Sequence, residues 1–125
     1  MHRRTLCLVI AAALAAGVGT ATADDDVKAG EAVFKRACAV CHTAEAGKNK
    51  VGPSLAGVVG RNAGAVEGFK YSDAMKNSGV TWSNDTLGKY LADPKAFMPG
   101  NRMVYPGLRK ESDRKAVIDY LDTVK

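Results

Sequence analysis

The stretch Cys38-Ala39-Val40-Cys41-His42 brings two thiols and an imidazole together within five consecutive residues. Elsewhere the chain has one more cysteine, Cys7, and one more histidine, His2. Both fall in a segment that reads as a removable secretory leader. Met1 to Arg4 is short and basic, Leu6 to Ala16 is an unbroken apolar run, and Ala21-Thr22-Ala23 has the small-x-small pattern a signal peptidase accepts. The apolar run is too short to span a membrane as a helix. The expected division is a leader over 1–23 and a single domain over 24–125. Once the leader is gone, the pentapeptide holds every cysteine and the only histidine. No other segment constrains the fold as strongly.

Removing 23 of the 125 residues leaves 102, and the net charge drops from +5 to +3 because the leader carries Arg3 and Arg4 and no acid. That length suits one domain and sits near the size where an unaided core is marginal. Its large side chains are modest in number: Trp82, three phenylalanines and four tyrosines. Small exported domains usually add a disulfide, a metal or a cofactor. A Cys38–Cys41 disulfide would close a tiny loop and constrain little. Something else must complete the core.

Along the chain, Gly30, Phe34, Ala37, Cys38 and Cys41 recur at helical spacing, predicting one amphipathic helix from Val27 to near His42 behind the acidic Asp24-Asp25-Asp26. Gly30 costs about 1 kcal/mol against alanine in a helix interior, which is explained if another helix approaches closely there. Thr43 to Gly68 is glycine-rich and lacks apolar periodicity. A stretch that long without structure needs something to wrap around. Ser72 to Ser78 reads as a short helix stopped by Gly79, and a second helix starts near Ser83 with Leu87, Tyr90 and Leu91 on one face. Asp93 to Gly107 reads as irregular, and a last helix from about Ser112 buries Val117, Ile118, Leu121 and Val124. No segment alternates like a strand. The class is all-α, with about four to five helices and long loops around a missing centre.

Cys-x-x-Cys serves three common chemistries. A thioredoxin-like pair belongs in a strand-containing α/β setting, which this pattern lacks. A structural zinc site needs four ligands, so a carboxylate would have to join the two thiolates and the imidazole. Covalent haem attachment is signalled by a histidine directly after the second cysteine. The two sulfurs then add across the haem vinyl groups, and the adjacent imidazole is carried under the iron. His42 is the proximal ligand if haem is bound, since no other imidazole remains.

The mature chain resembles the class I cytochromes c of the mitochondrial type and their exported bacterial relatives. The resemblance runs from about Gly30 to Leu121 and rests on "CAVCHT", "VGPSLAGVVGR", "GFKYSDAMKNSGVTW", "YLADPKAFMPGNRM" and "AVIDYL", in the family's order. It implies the class I fold wrapped around one haem c attached through Cys38 and Cys41. It also implies His42 and a methionine as axial ligands. Met75, Met98 and Met103 survive processing, and each could be core filler. The resemblance selects Met103, which follows a Pro-Gly-x-x turn as the family's ligand does, and makes Met98 a packing residue.

The same resemblance assigns the Pro53 carbonyl to orient His42. It places Arg61, Tyr71 and Trp82 near the haem propionates and Tyr90 near the methionine sulfur. Met75 and Asn101 depart from the family, which commonly has asparagine and threonine at those positions. A haem with both axial positions filled is a one-electron carrier and not an enzyme. The implied function is a soluble periplasmic shuttle from a quinol-oxidising cytochrome complex to an oxidase, reaction centre or reductase. The alternative is a haem c protein with a labile sixth ligand, acting as a peroxidase or gas sensor. By the resemblance, Lys50, Lys95, Arg102, Arg109 and Lys110 ring the exposed haem edge and dock membrane redox complexes, with a monomer as the default state. No aromatic-basic interleaving points to nucleic acid.

Overall fold

The first helix, α1, spans Ala23–Ala37 and opens with a reciprocal cap. The Thr22 hydroxyl accepts from the Asp25 N–H at 3.4 Å, and the Asp25 carboxylate accepts from the Thr22 N–H at 3.3 Å. A computed structural model describes residues 16–20 and 22–125. Most of the expected leader, Met1 to Ala15 and Ala21, lies outside the described residues. Cleavage after Ala23 would remove the Thr22 cap and leave Asp24, Asp25 and Asp26 to meet the positive end of the helix dipole.

Four further helices follow: α2 (Asp73–Lys76), α3 (Asn84–Ala92), α4 (Pro94–Phe97) and α5 (Glu111–Thr123). Among the described residues there is no strand, only an isolated antiparallel bridge between Asn62 and Thr81. The frame is the crossing of α1 and α5. A Cβ at Gly30 would overlap the Ala116 carbonyl and crowd Cβ of Tyr120, so only glycine lets the two backbones come this close. Around that contact Val33 and Phe34 of α1 meet Val117, Ile118 and Leu121 of α5, all buried, and the Phe34 and Tyr120 rings lie 5.5 Å apart. Full burial of each such side chain contributes about 1.5–3 kcal/mol.

Three local expectations need correction. Val124, expected on the buried stripe of the last helix, lies just past the end of α5 and is only partly buried. The helix expected to run to His42 stops at Ala37. The N–H groups of Cys38 and Ala39 both donate to the Phe34 carbonyl, at 2.8 and 2.9 Å, which ends the helical ladder. A separate turn then forms, with the N–H groups of Cys41 and His42 both donating to the Cys38 carbonyl, at 3.1 and 2.9 Å. The two cysteines therefore share a turn rather than a helix face. The stretch from Asp93, read as irregular, contains α4. Pro94 ends α3 and also occupies the first position of the next helix, with the Asp93 carboxylate accepting from the Ala96 N–H at 3.1 Å.

Candidate functional site

The missing centre is a cavity of about 480 Å³ lined chiefly by apolar side chains from every part of the domain. Cys38, Cys41, His42, Pro53, Arg61, Tyr71, Met75, Trp82, Tyr90 and Met103 all line it. A groove of about 520 Å³ between α3 and α5 is lined by charged residues of both signs and holds no cysteine, histidine or methionine.

One wall is built around His42. Its Nδ1–H donates to the Pro53 carbonyl at 2.7 Å, which leaves the lone pair on Nε2. Burial is the largest influence on this imidazole and holds its proton affinity below the ordinary value. The Pro53 hydrogen bond opposes that shift, and the charges of Arg61 and Lys50 reinforce it. Gly52 packs against the ring so closely that a Cβ there would collide with Cε1, Nδ1 and Nε2. The loop behind it is stitched by backbone and side chains together: Gly52 N–H donates to the Cys41 carbonyl at 2.8 Å, Leu55 N–H to the Thr43 carbonyl at 2.9 Å, and the Thr43 hydroxyl to the Lys48 carbonyl at 2.6 Å. Buried Ser54 adds its hydroxyl to the Glu45 carbonyl at 2.6 Å and gives its N–H to the Asn49 side chain at 2.9 Å. Sequence reasoning passed over Gly52, Asn49 and Ser54 because they sit in a loop with no periodicity. The Gly-Pro pair after the pentapeptide was their only trace.

Another soft donor on the cavity wall is Met103, whose sulfur receives the Tyr90 hydroxyl at 3.8 Å. Burial pushes the Tyr90 phenol up to about 12, so it remains a protonated donor at neutral pH. The Tyr90 ring is held by Trp82 at 4.9 Å and Phe97 at 5.9 Å. Of the other two candidate methionines, Met75 lines the same cavity, whereas Met98 is 5 % exposed, packs in the core and is not among the lining residues.

Arg61 and Trp82 are far apart in sequence and are brought together by a short backbone pairing. The Trp82 N–H donates to the Arg61 carbonyl at 2.8 Å, next to the Asn62–Thr81 bridge. The Arg61 guanidinium donates to the Ala56 carbonyl at 3.1 Å, and the Tyr71 hydroxyl accepts the Val66 N–H at 3.1 Å. Of the five basic residues expected around the opening, only Arg102 lines the cavity. Lys50, Lys95, Arg109 and Lys110 are exposed on the surface, and the Lys50 ammonium donates to the Ala39 carbonyl at 2.6 Å. Val51 and Val104 line the cavity yet are 79 % and 99 % exposed, so its rim sets apolar side chains beside the exposed Lys70 and Arg102.

The donor set decides what the cavity can hold. Among the described residues, no three His, Cys, Asp or Glu side chains converge to hold a metal ion, whereas a structural zinc site needs four ligands. Burial pushes the Cys38 thiol of the bare polypeptide up to about 11, the reverse of the lowered pKa that activates a redox-exchange thiol. Two thiols on one turn, an imidazole with Nε2 available, a thioether and an apolar envelope fit an iron macrocycle joined through both sulfurs. No helix among the described residues is long and apolar enough to cross a membrane.

Comparison with known proteins agrees with this donor set. The family model described as "Cytochrome c" matches residues 27–125. The chain is similar to "Cytochrome c2 iso-2" of Magnetospirillum molischianum, 61 % identical over 88 residues that cover 70 % of this chain and 91 % of that protein. It is 49 % identical over 109 residues to "Cytochrome c2" of Blastochloris viridis, covering 86 % of this chain and 84 % of that one. The solved structure of cytochrome cH from Methylobacterium extorquens superposes with a TM-score of 0.74 at 46 % identity, covering 78 % of this chain and 98 % of that one.

Proposed function

Because the chain belongs to the cytochrome c family, whose members carry covalently attached haem c, we propose that His42 and Met103 are the two axial ligands of its iron. Haem attachment through Cys38 and Cys41, and electron carriage without catalysis, follow from the family itself. Bound in the cavity, the haem supplies a ferric–ferrous couple that accepts one electron from a donor and passes it to an acceptor.

What this chain's own residues do can be derived from their chemistry. The Pro53 carbonyl fixes the tautomer and orientation of His42 and makes Nε2 a better donor. The Met103 thioether is soft and weakly donating, which favours the ferrous state. The Tyr90 hydroxyl draws electron density from that sulfur and reinforces the preference. An apolar lining makes the extra charge of the ferric state costly. With an imidazole and a thioether both committed, no position stays open for oxygen or peroxide. The observation that carries this reading is that His42, its Nδ1 already spent on Pro53, shares one apolar cavity with a methionine sulfur held by a buried phenol.

The proposed setting is the periplasm, reached by means of the leader over 1–23. The proposed task is shuttling between membrane redox complexes, from a quinol-oxidising cytochrome complex to an oxidase, reaction centre or reductase. Arg102 at the cavity, the exposed Lys50, Lys95, Arg109 and Lys110, and the apolar side chains of Val51 and Val104 at its rim support docking to acidic partners by steering and then close contact. Roles near the propionates for Arg61, Tyr71 and Trp82 belong to the same proposal. The deciding experiment is the optical spectrum of the purified protein in both oxidation states. A weak red band from an iron–sulfur bond in the ferric form is expected. Absence of that band at neutral pH, together with rapid cyanide binding, overturns the two-ligand shuttle.

A further inference from the structure

The segment that carries Met103 is sparsely held. From Arg102 to Gly107, among the described residues, no backbone-to-backbone hydrogen bond fixes the chain. Its far end is pinned where the Leu108 N–H donates to the Leu91 carbonyl at 2.7 Å. At its near end one side chain does the holding. The Asn101 amide nitrogen donates to the Pro94 carbonyl at 3.0 Å and to the Met98 carbonyl at 2.8 Å. The Asn101 side-chain oxygen accepts the Met103 N–H at 2.9 Å.

These three bonds satisfy both amide protons and use the carbonyl as well. Their anchors are firm: Pro94 is fully buried and Met98 is 5 % exposed in the core. The amide thus couples a rigid floor to the backbone of the residue whose sulfur meets Tyr90. Because its protons are spent on backbone carbonyls, Asn101 acts on the loop and not on the sulfur.

We propose that Asn101 is a positioning residue for Met103: its side-chain amide clasps the loop to Pro94 and Met98 and keeps the thioether in the cavity. This rests on the reading of Met103 as the sixth ligand. In the ferric holoprotein the clasp sets how often the loop opens, and so how fast a small competing ligand reaches the iron. Serine at this position offers one hydroxyl that can accept the Met103 N–H and donate to a single carbonyl, a partial substitute.

The test measures the association rate of imidazole with ferric Asn101→Ala, Asn101→Ser and parent holoprotein, with Met103→Ala as the reference for an open site. Hydrogen exchange of the Leu108 amide reports on the Met103 side, and that of the Leu55 amide on the His42 side. Asn101→Ala is expected to bind imidazole about tenfold faster or more, the scale of losing one to two net hydrogen bonds. Asn101→Ser should fall between it and the parent. Leu108 exchange should rise while Leu55 exchange holds. Rates in Asn101→Ala within twofold of the parent, or equal rises at Leu108 and Leu55, overturn the clasp. If Met103→Ala itself neither loses the red band nor speeds imidazole binding, the ligand reading fails instead, so the two failures are distinguishable.

Discussion

The two walls of the cavity are held by different means. Behind His42, residues 43–55 carry backbone bonds together with side-chain bonds from Thr43, Asn49 and Ser54, and Gly52 packs on the ring. Around Met103 the chain is nearly free of backbone bonds and depends on two side chains, Asn101 and Tyr90. With its load shared over many bonds, the His42 wall should therefore tolerate truncation of any one side chain yet reject an atom added against the ring. The Met103 wall should do the reverse. A ligand held by many bonds survives the loss of one, while one held by two side chains can be tuned, or lost, by a single substitution.

The hardest way to break this contrast is Gly52→Ala. Its new Cβ would meet the imidazole and the backbone has no slack, so a loss of about 3 kcal/mol is expected. Denaturant unfolding of the holoprotein measures it, and a cost under about 1 kcal/mol would mean the His42 wall is as pliable as the other.

Next in size is the response to pH, where the walls should fail at opposite ends. Tyr90 holds its proton to about 12 when folded, against an ordinary value near 10. Its share of stability is complete below about pH 10 and fades as pH rises toward 12, by up to about 2 kcal/mol. Comparing Tyr90→Phe with the parent between pH 8 and 12 isolates this term, since the variant has no phenol to ionise. His42 has the opposite sign. In the proposed holoprotein Nδ1 is spent on Pro53 and Nε2 on the iron, so the folded imidazole takes up no proton, and its share is present above the ordinary imidazole range and is lost as pH falls through it. Unfolding free energies from pH 8 to 5 should decline while the Tyr90→Phe difference stays flat.

A smaller effect should come from Asn49→Ala, which strips the acceptor from the Ser54 N–H and should cost about 1 kcal/mol. Imidazole association should not change, because the backbone stitches around His42 remain. An accelerated rate would show the two walls to be one mechanical unit.

The least effect is expected from Arg36→Ala. Arg36 pairs with Asp113 at 2.7 Å between α1 and α5, but its side chain is 54 % exposed, so screening leaves about 0.5 kcal/mol. Neither wall should respond in its spectrum. A change in the red band would place the helix crossing in mechanical contact with Met103.

Much of this architecture was legible in the chain. Val117, Ile118 and Leu121 announce α5 by spacing, Ser72 and Ser83 cap α2 and α3 where their side chains suggest, and Gly30 marks a close approach that the α1–α5 contact explains. Other features were not. The periodicity of α1 continues through Cys41, yet the helix ends at Ala37, because which carbonyl two neighbouring N–H groups share is a matter of geometry that residue spacing does not encode. Asp93-Pro94 hid α4, since the same proline closes one helix and opens the next. Asn49, Gly52, Ser54 and Asn101 lie in loops, where a residue's importance comes from a partner it meets only after folding.

By itself the amino-acid sequence determined the chemistry: a pentapeptide concentrating the soft ligands, an all-α periodicity, and a core too small to close without a cofactor. Those follow from residue identity and local spacing, which survive in any conformation. Only the tertiary structure decided that Met75 joins Met103 in lining the cavity, that Gly52 packs on the imidazole, and that an asparagine holds the sulfur's loop. These depend on distances of a few ångströms between residues remote along the chain, and hydrogen bonds and packing forces act only over such distances.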